Sequence, residues 1–398
     1  MVSVQEAFQI IQSVSCSPGI EVVHLTDSVR RVLGEIIVAD RDFPPFDRVA
    51  MDGIAICSKS FNDGQRDYEI ESVHAAGQPG IKLQDYRKCI EVMTGAMLPE
   101  GTDAVIRYED LEKNGNRAFV KITNLREGMN IHSQAQDAKR GVVLLQPGQL
   151  ISPAEIALLA SVGKESVRVK SFPKTALISS GDELVDLNAT PESHQVRRSN
   201  VHALQSAMKQ VGWLTDIFHL ADRRDEVERV LGDLLMQYSV LILSGGVSKG
   251  KFDFIPDALE ALGVEKRFHQ ISQRPGKPFW FGSRTDGKVV FALPGNPVST
   301  FVCFYRYILP WMLEQMDVRL KPASAILSDD LVFAPNLTYF LQVNTFMDEG
   351  RLIARPVPGG GSGDFVNLKE VDGFIELPPE KSQFKAGEVY PFIGFRHF

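Results

Sequence analysis

Cysteine is scarce in this chain of 398 residues. Cys16, Cys57, Cys89 and Cys303 stand too far apart for a CxxC redox pair or a zinc knuckle, so they are expected to be buried, reduced thiols of a cytoplasmic protein. Long apolar runs are missing as well: the longest, residues 301–313, is interrupted by Arg306 and Pro310 and falls short of the roughly 20 residues that cross a bilayer. No membrane helix is expected, and residues 1–8 lack the basic start of a secretory signal. Nor is positive charge in excess. Lys plus Arg is 43 against 50 Asp plus Glu, a net charge of −7 and the wrong sign for gripping nucleic-acid phosphates. The eight histidines show no metal-ligand spacing, and there is no Walker loop, GxGxxG turn or GxSxG elbow. Nucleotide hydrolysis and dinucleotide redox chemistry are thereby disfavoured.

What is present is ordinary for a folded protein, 44% hydrophobic and 23% charged, and the length predicts two to three domains. Val4, Ala7, Phe8, Ile11 and Val14 fall at helical spacing, and Thr26 is placed to cap a second short helix carrying Val29, Val32 and Leu33. Residues 41–145 break into short apolar runs punctuated by Pro and Gly and read as a β-rich inserted domain. Residues 1–40 and 146–172 form the helical and linker region around it, with a capping box at Ser152, Pro153, Ala154 and Glu155. From 173 to 320 strand-like runs alternate with helices of ten or more residues, the pattern of a doubly wound parallel sheet in an α/β domain. Residues 321–398 return to short strands and predict a small all-β, barrel-like domain. The expected fold is therefore multidomain, α/β plus β.

Ligands of open α/β sheets bind outside the carboxyl ends of the strands. Three predicted strands there run into small-residue loops: Ser179, Ser180, Gly181, Asp182, Glu183; then Ser244, Gly245, Gly246, Val247, Ser248; then Pro294, Gly295, Asn296, Pro297. Such loops let backbone N–H groups approach an anion, although each alone is also consistent with a plain turn. Carboxylates flank them at Asp182, Glu183 and Asp253, where Mg²⁺ would bridge acid and phosphate; helix capping is the structural alternative for Asp182 and Asp253. Arg274 and Lys277 are candidate anion clamps or a solvated turn. In the β-rich part, the segment Pro44, Pro45, Phe46, Asp47, Arg48, Val49, Ala50, Met51, Asp52, Gly53 and the pair Thr94, Gly95 stay ambiguous by local rules.

Together these stretches, with Pro275, Gly276, Lys277, Pro278, resemble the molybdopterin molybdenumtransferases, the molybdenum insertases whose eukaryotic counterpart is the C-terminal domain of gephyrin. The resemblance covers nearly the whole chain. It implies binding of adenylylated molybdopterin, entry of molybdate and departure of AMP, with Mg²⁺ assisting. The α/β domain would be the molybdopterin-binding domain. By the resemblance the functional acids fall on Asp52, Asp137, Glu183, Asp222 and Asp253, with Glu183 and Asp253 as metal ligands. Thr94, Ser180, Gly181, Gly245, Gly246, Ser248, Lys277, Pro294, Gly295, Asn296, Pro297 and Ser362 would hold the ligand. Family members are homodimers whose site the partner's N-terminal part completes. Molybdopterin adenylyltransferase and molybdoenzyme apoproteins are further expected partners, with no nucleic acid and no membrane.

Three departures stand out. Residues 128–137 lack an Arg and an acid that the family pattern has before Asp137, carrying His132, Ala135 and Gln136 instead; histidine, mostly uncharged at neutral pH, is not a permanent cation. Arg198 stands where Asp is common, and residues 336–342 lack Arg residues often found there. These losses keep a second expectation open, a catalytically weak paralogue that binds molybdopterin or acts as a scaffold. A third, a free-standing adenylyltransferase, is weakened because those enzymes lack the flanking regions.

Overall fold

In the α/β region, alternation of apolar and polar residues fails along the strands because both faces of the sheet are covered. Thr175–Ser180, Val240–Ser244 and Val289–Leu293 are buried at every position, the pattern of parallel strands with helices on both sides. The computed structural model describes residues 1–247 and 254–396. They divide into two compact units: Met1–Gly34, Gly148–Ser152 and Ser166–Phe398 form the first, Glu35–Pro147 and Pro153–Glu165 the second.

The first unit centres on a six-stranded sheet in the order Thr215–Leu220, Thr175–Ser180, Val240–Ser244, Val289–Leu293, Pro278–Ser283, Glu265–Gln270. The first four are parallel, and the fifth, Pro278–Ser283, runs antiparallel to both of its neighbours, so the expected parallel sheet is mixed at one edge. The cause is chain length. Connections 271–277 and 284–288 are shorter than the dozen or so residues that a parallel crossover needs. Leu177, Ile242, Phe279, Phe281 and Phe291 point to one face, where they meet Val4, Ala7 and Ile11 of the first helix and Trp311 of the last. Ala176, Ile178, Leu241, Leu243 and Trp280 point to the other, covered by Val227, Leu231 and Leu235 and by Leu259.

The first helix, Val4–Gln12, is started by a reciprocal cap in which Ser3 Oγ accepts from Glu6 N and Glu6 Oε2 accepts from Ser3 N. The last helix runs as Pro297–Cys303, a π-helical stretch Phe304–Ile308, and Leu309–Gln315. Pro310 lies just past the π turn, whose extra width relieves the clash between a proline ring and the carbonyl four residues earlier. The second helix expected near Thr26 does not form. Thr26 N donates to His24 Nδ1, only the 3₁₀ turn Leu25–Asp27 follows, and Arg30 takes φ 65°. Val32 and Leu33 are then drawn into bridges with Leu150 and Val169, partners too distant in sequence for helical spacing to foresee.

The carboxyl-terminal strands of this unit close on themselves. Thr338–Asp348 pairs with Arg351–Pro356 on one side and Gly373–Leu377 on the other, and Ala323–Leu327 with Val389–Gly394 completes the ring, which leaves no open edge among these strands. The second unit is built on a six-stranded sheet ordered Ala104–Arg107, Gly53–Ile56, Cys89–Val92, Asp67–His74, Arg117–Val120, Leu111–Asn114. Its faces bury Ile54, Ile56, Tyr68 and Ile106 on one side and Ala55, Ile90 and Val105 on the other. All four cysteines are free thiols, and among the described residues no helix is long and apolar enough to cross a membrane.

Phe291 is fully buried, with ring contacts to Phe279, Phe281 and Trp311. Phe291→Ala is expected to lower the stability of the first unit by about 3–5 kcal/mol, and Phe291→Leu by about 1.5 kcal/mol or less. Urea unfolding followed by fluorescence of Trp213, Trp280 and Trp311, all in this unit, measures the difference.

Candidate functional site

From Thr175–Ser180 the chain moves outward to Thr215–Leu220 and then returns to Val240–Ser244 on the opposite side. The two crossovers therefore part between Thr175–Ser180 and Val240–Ser244, the place where open α/β sheets leave a crevice. A cavity of about 920 Å³ opens there. Ser180, Gly181 and Glu183 line it from the first strand end; Ser244, Gly245, Gly246 and Val247 from the second; Pro294, Gly295, Asn296 and Pro297 from the third.

Two glycines are required by the close approach of these loops. Gly245 takes φ 103°, and a Cβ there would stand 2.6 Å from Ser180 O. Gly181 takes φ 140°, and a Cβ would meet the Glu183 carboxylate at 2.5 Å, so that carboxylate lies against the bare α-carbon. Ser180 Oγ donates to Asp222 Oδ1 at 3.0 Å, and Asp222 N donates to Asp182 Oδ1 at 3.0 Å. Asp182 thus ties two loops together rather than capping a helix. Glu183 and Asp222 both line the cavity, and among the described residues no group of three or more His, Cys, Asp or Glu is placed to hold a metal ion.

Other expected residues are spread more widely. Lys277 is exposed and does not line the cavity, although its neighbour Pro278 does. Arg274 lies over the Phe333 ring at 6.0 Å. Ser362 Oγ accepts from Asn296 Nδ2 at 2.8 Å and Ser362 O from Val298 N at 3.1 Å, which fastens the glycine-rich loop of the carboxyl-terminal part to the third strand end. Ser248 and Asp253 lie outside the described residues.

Of the wall formed by residues 195–200, sequence reasoning singled out Arg198 alone, as a departure from the family pattern and not as a cavity residue. Arg197, Arg198 and Asn200 line the cavity; the run of polar residues before a helix start was the available signal. Arg198, largely buried, is ion-paired with Asp186. Behind it, burial and then the Arg198 charge push the His219 pKa down, and His219 Nδ1 is hydrogen-bonded to Ser179 Oγ.

Asp52, Thr94 and Asp137 belong to the second unit. Asp52 Oδ1 accepts from Thr94 Oγ1 at 2.7 Å and from Thr94 N at 2.6 Å, and these hydrogen bonds hold its carboxyl below the usual aspartate range. Arg48–Val49 pairs with Ile131–His132, setting Arg48 opposite His132. Arg48 donates to His132 Nδ1 at 3.2 Å, and His132 Nε2 is 2.9 Å from Asp137 Oδ1. A guanidinium can only donate, so Nδ1 accepts and the ring proton sits on Nε2, where it is given to Asp137. The cation beside this segment is therefore Arg48, while Arg198 is engaged by Asp186 in the first unit.

Residues 2–163 match the family model "MoeA N-terminal region (domain I and II)", residues 176–314 the "Probable molybdopterin binding domain", and residues 324–395 the "MoeA C-terminal region (domain IV)". The chain is 40% identical to the molybdopterin molybdenumtransferase of a Synechocystis species, over 99% of this chain and 100% of that one. It is 30% identical to the protein of the same name from Bacillus subtilis, over 94% and 90% of the two chains. Among solved structures it resembles the molybdopterin biosynthesis MoeA protein of Pyrococcus horikoshii, with a TM-score of 0.82, 26% identity and coverage of 98% and 99%.

Because the Asp52 pKa is lowered in the folded chain, its stabilising effect is present above the ordinary aspartate range and is lost as pH falls through the lowered value. Thr94→Ala removes the hydroxyl donor and leaves the backbone one, so Asp52 is expected to titrate at higher pH than in the parent. Carbon-13 NMR titration of the carboxyl measures this; an unchanged midpoint would remove Thr94 Oγ1 as its cause.

Proposed function

The chain belongs to the molybdopterin molybdenumtransferase family, and on that membership we propose that it acts in molybdenum cofactor biosynthesis, inserting molybdate into adenylylated molybdopterin with release of AMP. The observation that carries this reading is the convergence of three glycine-rich strand ends on one cavity with Glu183 and Asp222 in its wall. A pyrophosphate-bearing ligand suits such a site, since side-chain-free backbone lets its N–H groups reach phosphate oxygens. Arg197 and Arg198 add positive charge to the same wall. Ser180 orients the Asp222 carboxylate through its hydroxyl, and Asp182 holds the Asp222 backbone.

The cavity carboxylates of Glu183 and Asp222, with no group of three acids, histidines or cysteines placed to hold a metal among the described residues, suit Mg²⁺, which is commonly held by one or two carboxylates together with substrate phosphates. We assign Glu183 to that role, with Asp253 as the second ligand expected from sequence. The ion would neutralise charge on the departing phosphate. The reading as a weak paralogue is not favoured, because the likeness to proteins named as transferases runs through 99% of the chain. We further propose a homodimer located in the cytoplasm and supplied by an adenylyltransferase. In the second unit, Asp52, Asp137 and Thr94 are the proposed contributors.

Incubation with adenylylated molybdopterin, molybdate and Mg²⁺ tests the function. AMP release that requires molybdate supports it, and release indifferent to molybdate overturns it. Glu183→Ala is expected to slow release at least about tenfold, a barrier increase of roughly 1.4 kcal/mol, with little change in melting temperature. A variant that loses stability but keeps its specific activity would make Glu183 a structural residue only. Light scattering is expected to give twice the 44.2 kDa chain mass; an active monomer would refute the dimer.

A further inference from the structure

Asn200, the first residue of the helix Asn200–Lys209, connects strand ends that are far apart in sequence. Its Nδ2 donates to Gly295 O at 2.7 Å and to Ser244 Oγ at 2.9 Å, and lies 3.4 Å from Thr300 Oγ1. Gly295 O can only accept, so the amide must present its nitrogen and not its oxygen. Thr300, fully buried, donates its hydroxyl to the preceding carbonyl, Pro294 O, at 2.7 Å. Two successive carbonyls of the turn after Val289–Leu293 are thus engaged, one by the buried Thr300 and one by Asn200, which is half-buried at the cavity wall. Across a planar trans peptide the N–H points opposite to the C=O, so the N–H groups of Gly295 and Asn296 are turned away from Thr300 and Asn200. Ser244, accepting from Asn200, keeps its own hydroxyl proton free to donate.

We propose that Asn200 is a positioning residue: by clasping Gly295 O and Ser244 Oγ it orients the N–H groups of Gly295 and Asn296, and the Ser244 hydroxyl, to receive phosphate oxygens of the ligand. The inference rests on the reading of this cavity as the site of the adenylylated substrate. Asn200 itself acts through the turn. An apolar residue there would release the turn, and an ionised carboxylate would face the Gly295 carbonyl, which can only accept, and repel it.

Calorimetric binding of AMP and of inorganic pyrophosphate to the wild type, Asn200→Ala and Asn200→Asp, each measured from acid to neutral pH, tests the clasp. At neutral pH the alanine variant is expected to bind about tenfold more weakly and the aspartate variant more weakly still, with melting temperatures within about 3 °C of the wild type. Protonation restores a donor to the aspartate variant. Its affinity relative to the wild type is therefore expected to recover on acidification, while that of the alanine variant stays flat; the ratio cancels titration of Glu183, Asp222 and the probe. Wild-type-like binding by the aspartate variant, an absent acid recovery, or no binding of either probe by the wild type overturns the proposal. Loss of molybdate-dependent AMP release by the wild type would instead fail the functional reading, with the pyrophosphate comparison still deciding the clasp.

Discussion

Burial of the central sheet on both faces is the constraint from which the rest of the first unit follows. Leu177, Ile242 and Phe291 on one side and Ile178, Leu243 and Ala292 on the other leave no solvent-facing surface along the inner strands Thr175–Ser180, Val240–Ser244 and Val289–Leu293. Backbone polar groups are satisfied within the sheet, and the chain becomes open to a ligand only where strands end. At the parting of the crossovers the cavity opens as a gap between the strand ends. Serines, glycines and carboxylates collect there, where small polar residues displace no core.

Within that gap the loops are held by side chains rather than by regular structure. Asp182 fastens Asp222, Ser180 orients it, Asn200 and Thr300 take the carbonyls of the third turn, and Ser362 reaches in from the loop beside the closed carboxyl-terminal strands. Each of these ties joins residues at least four positions apart, and most join different strand connections. Pre-arranged donors need no reorganisation when charge arrives, which is the physical advantage of holding a phosphate site this way.

In the second unit, charge is used differently. Asp47 accepts from Gln134 N and Asp52 from Thr94, each tied to a remote loop, and Asp137 accepts from His132, five residues earlier in its own segment. An acid so engaged keeps one oxygen for local order and leaves the other available. Arg48 completes the set through the imidazole of His132, an arrangement that follows from strand pairing at that register.

The sequence alone determined what depends on near neighbours. Apolar runs flanked by small residues marked the strands of the α/β unit and their ligand-facing ends, the Pro- and Gly-broken stretch marked the β-rich part, and the motif set carried the family. Three things depended on the tertiary structure because their partners are remote in the chain. Val32 and Leu33 are strand-paired through Leu150 and Val169 instead of helical; one strand, Pro278–Ser283, turns antiparallel because the connections on either side of it are short; and Arg48, unremarkable in sequence, becomes the cation beside His132. Asn200 belongs with them, since the amide of a helix-start residue has meaning only once Ser244 and Gly295 lie within hydrogen-bonding distance, and periodicity carries no information about contacts made across that separation.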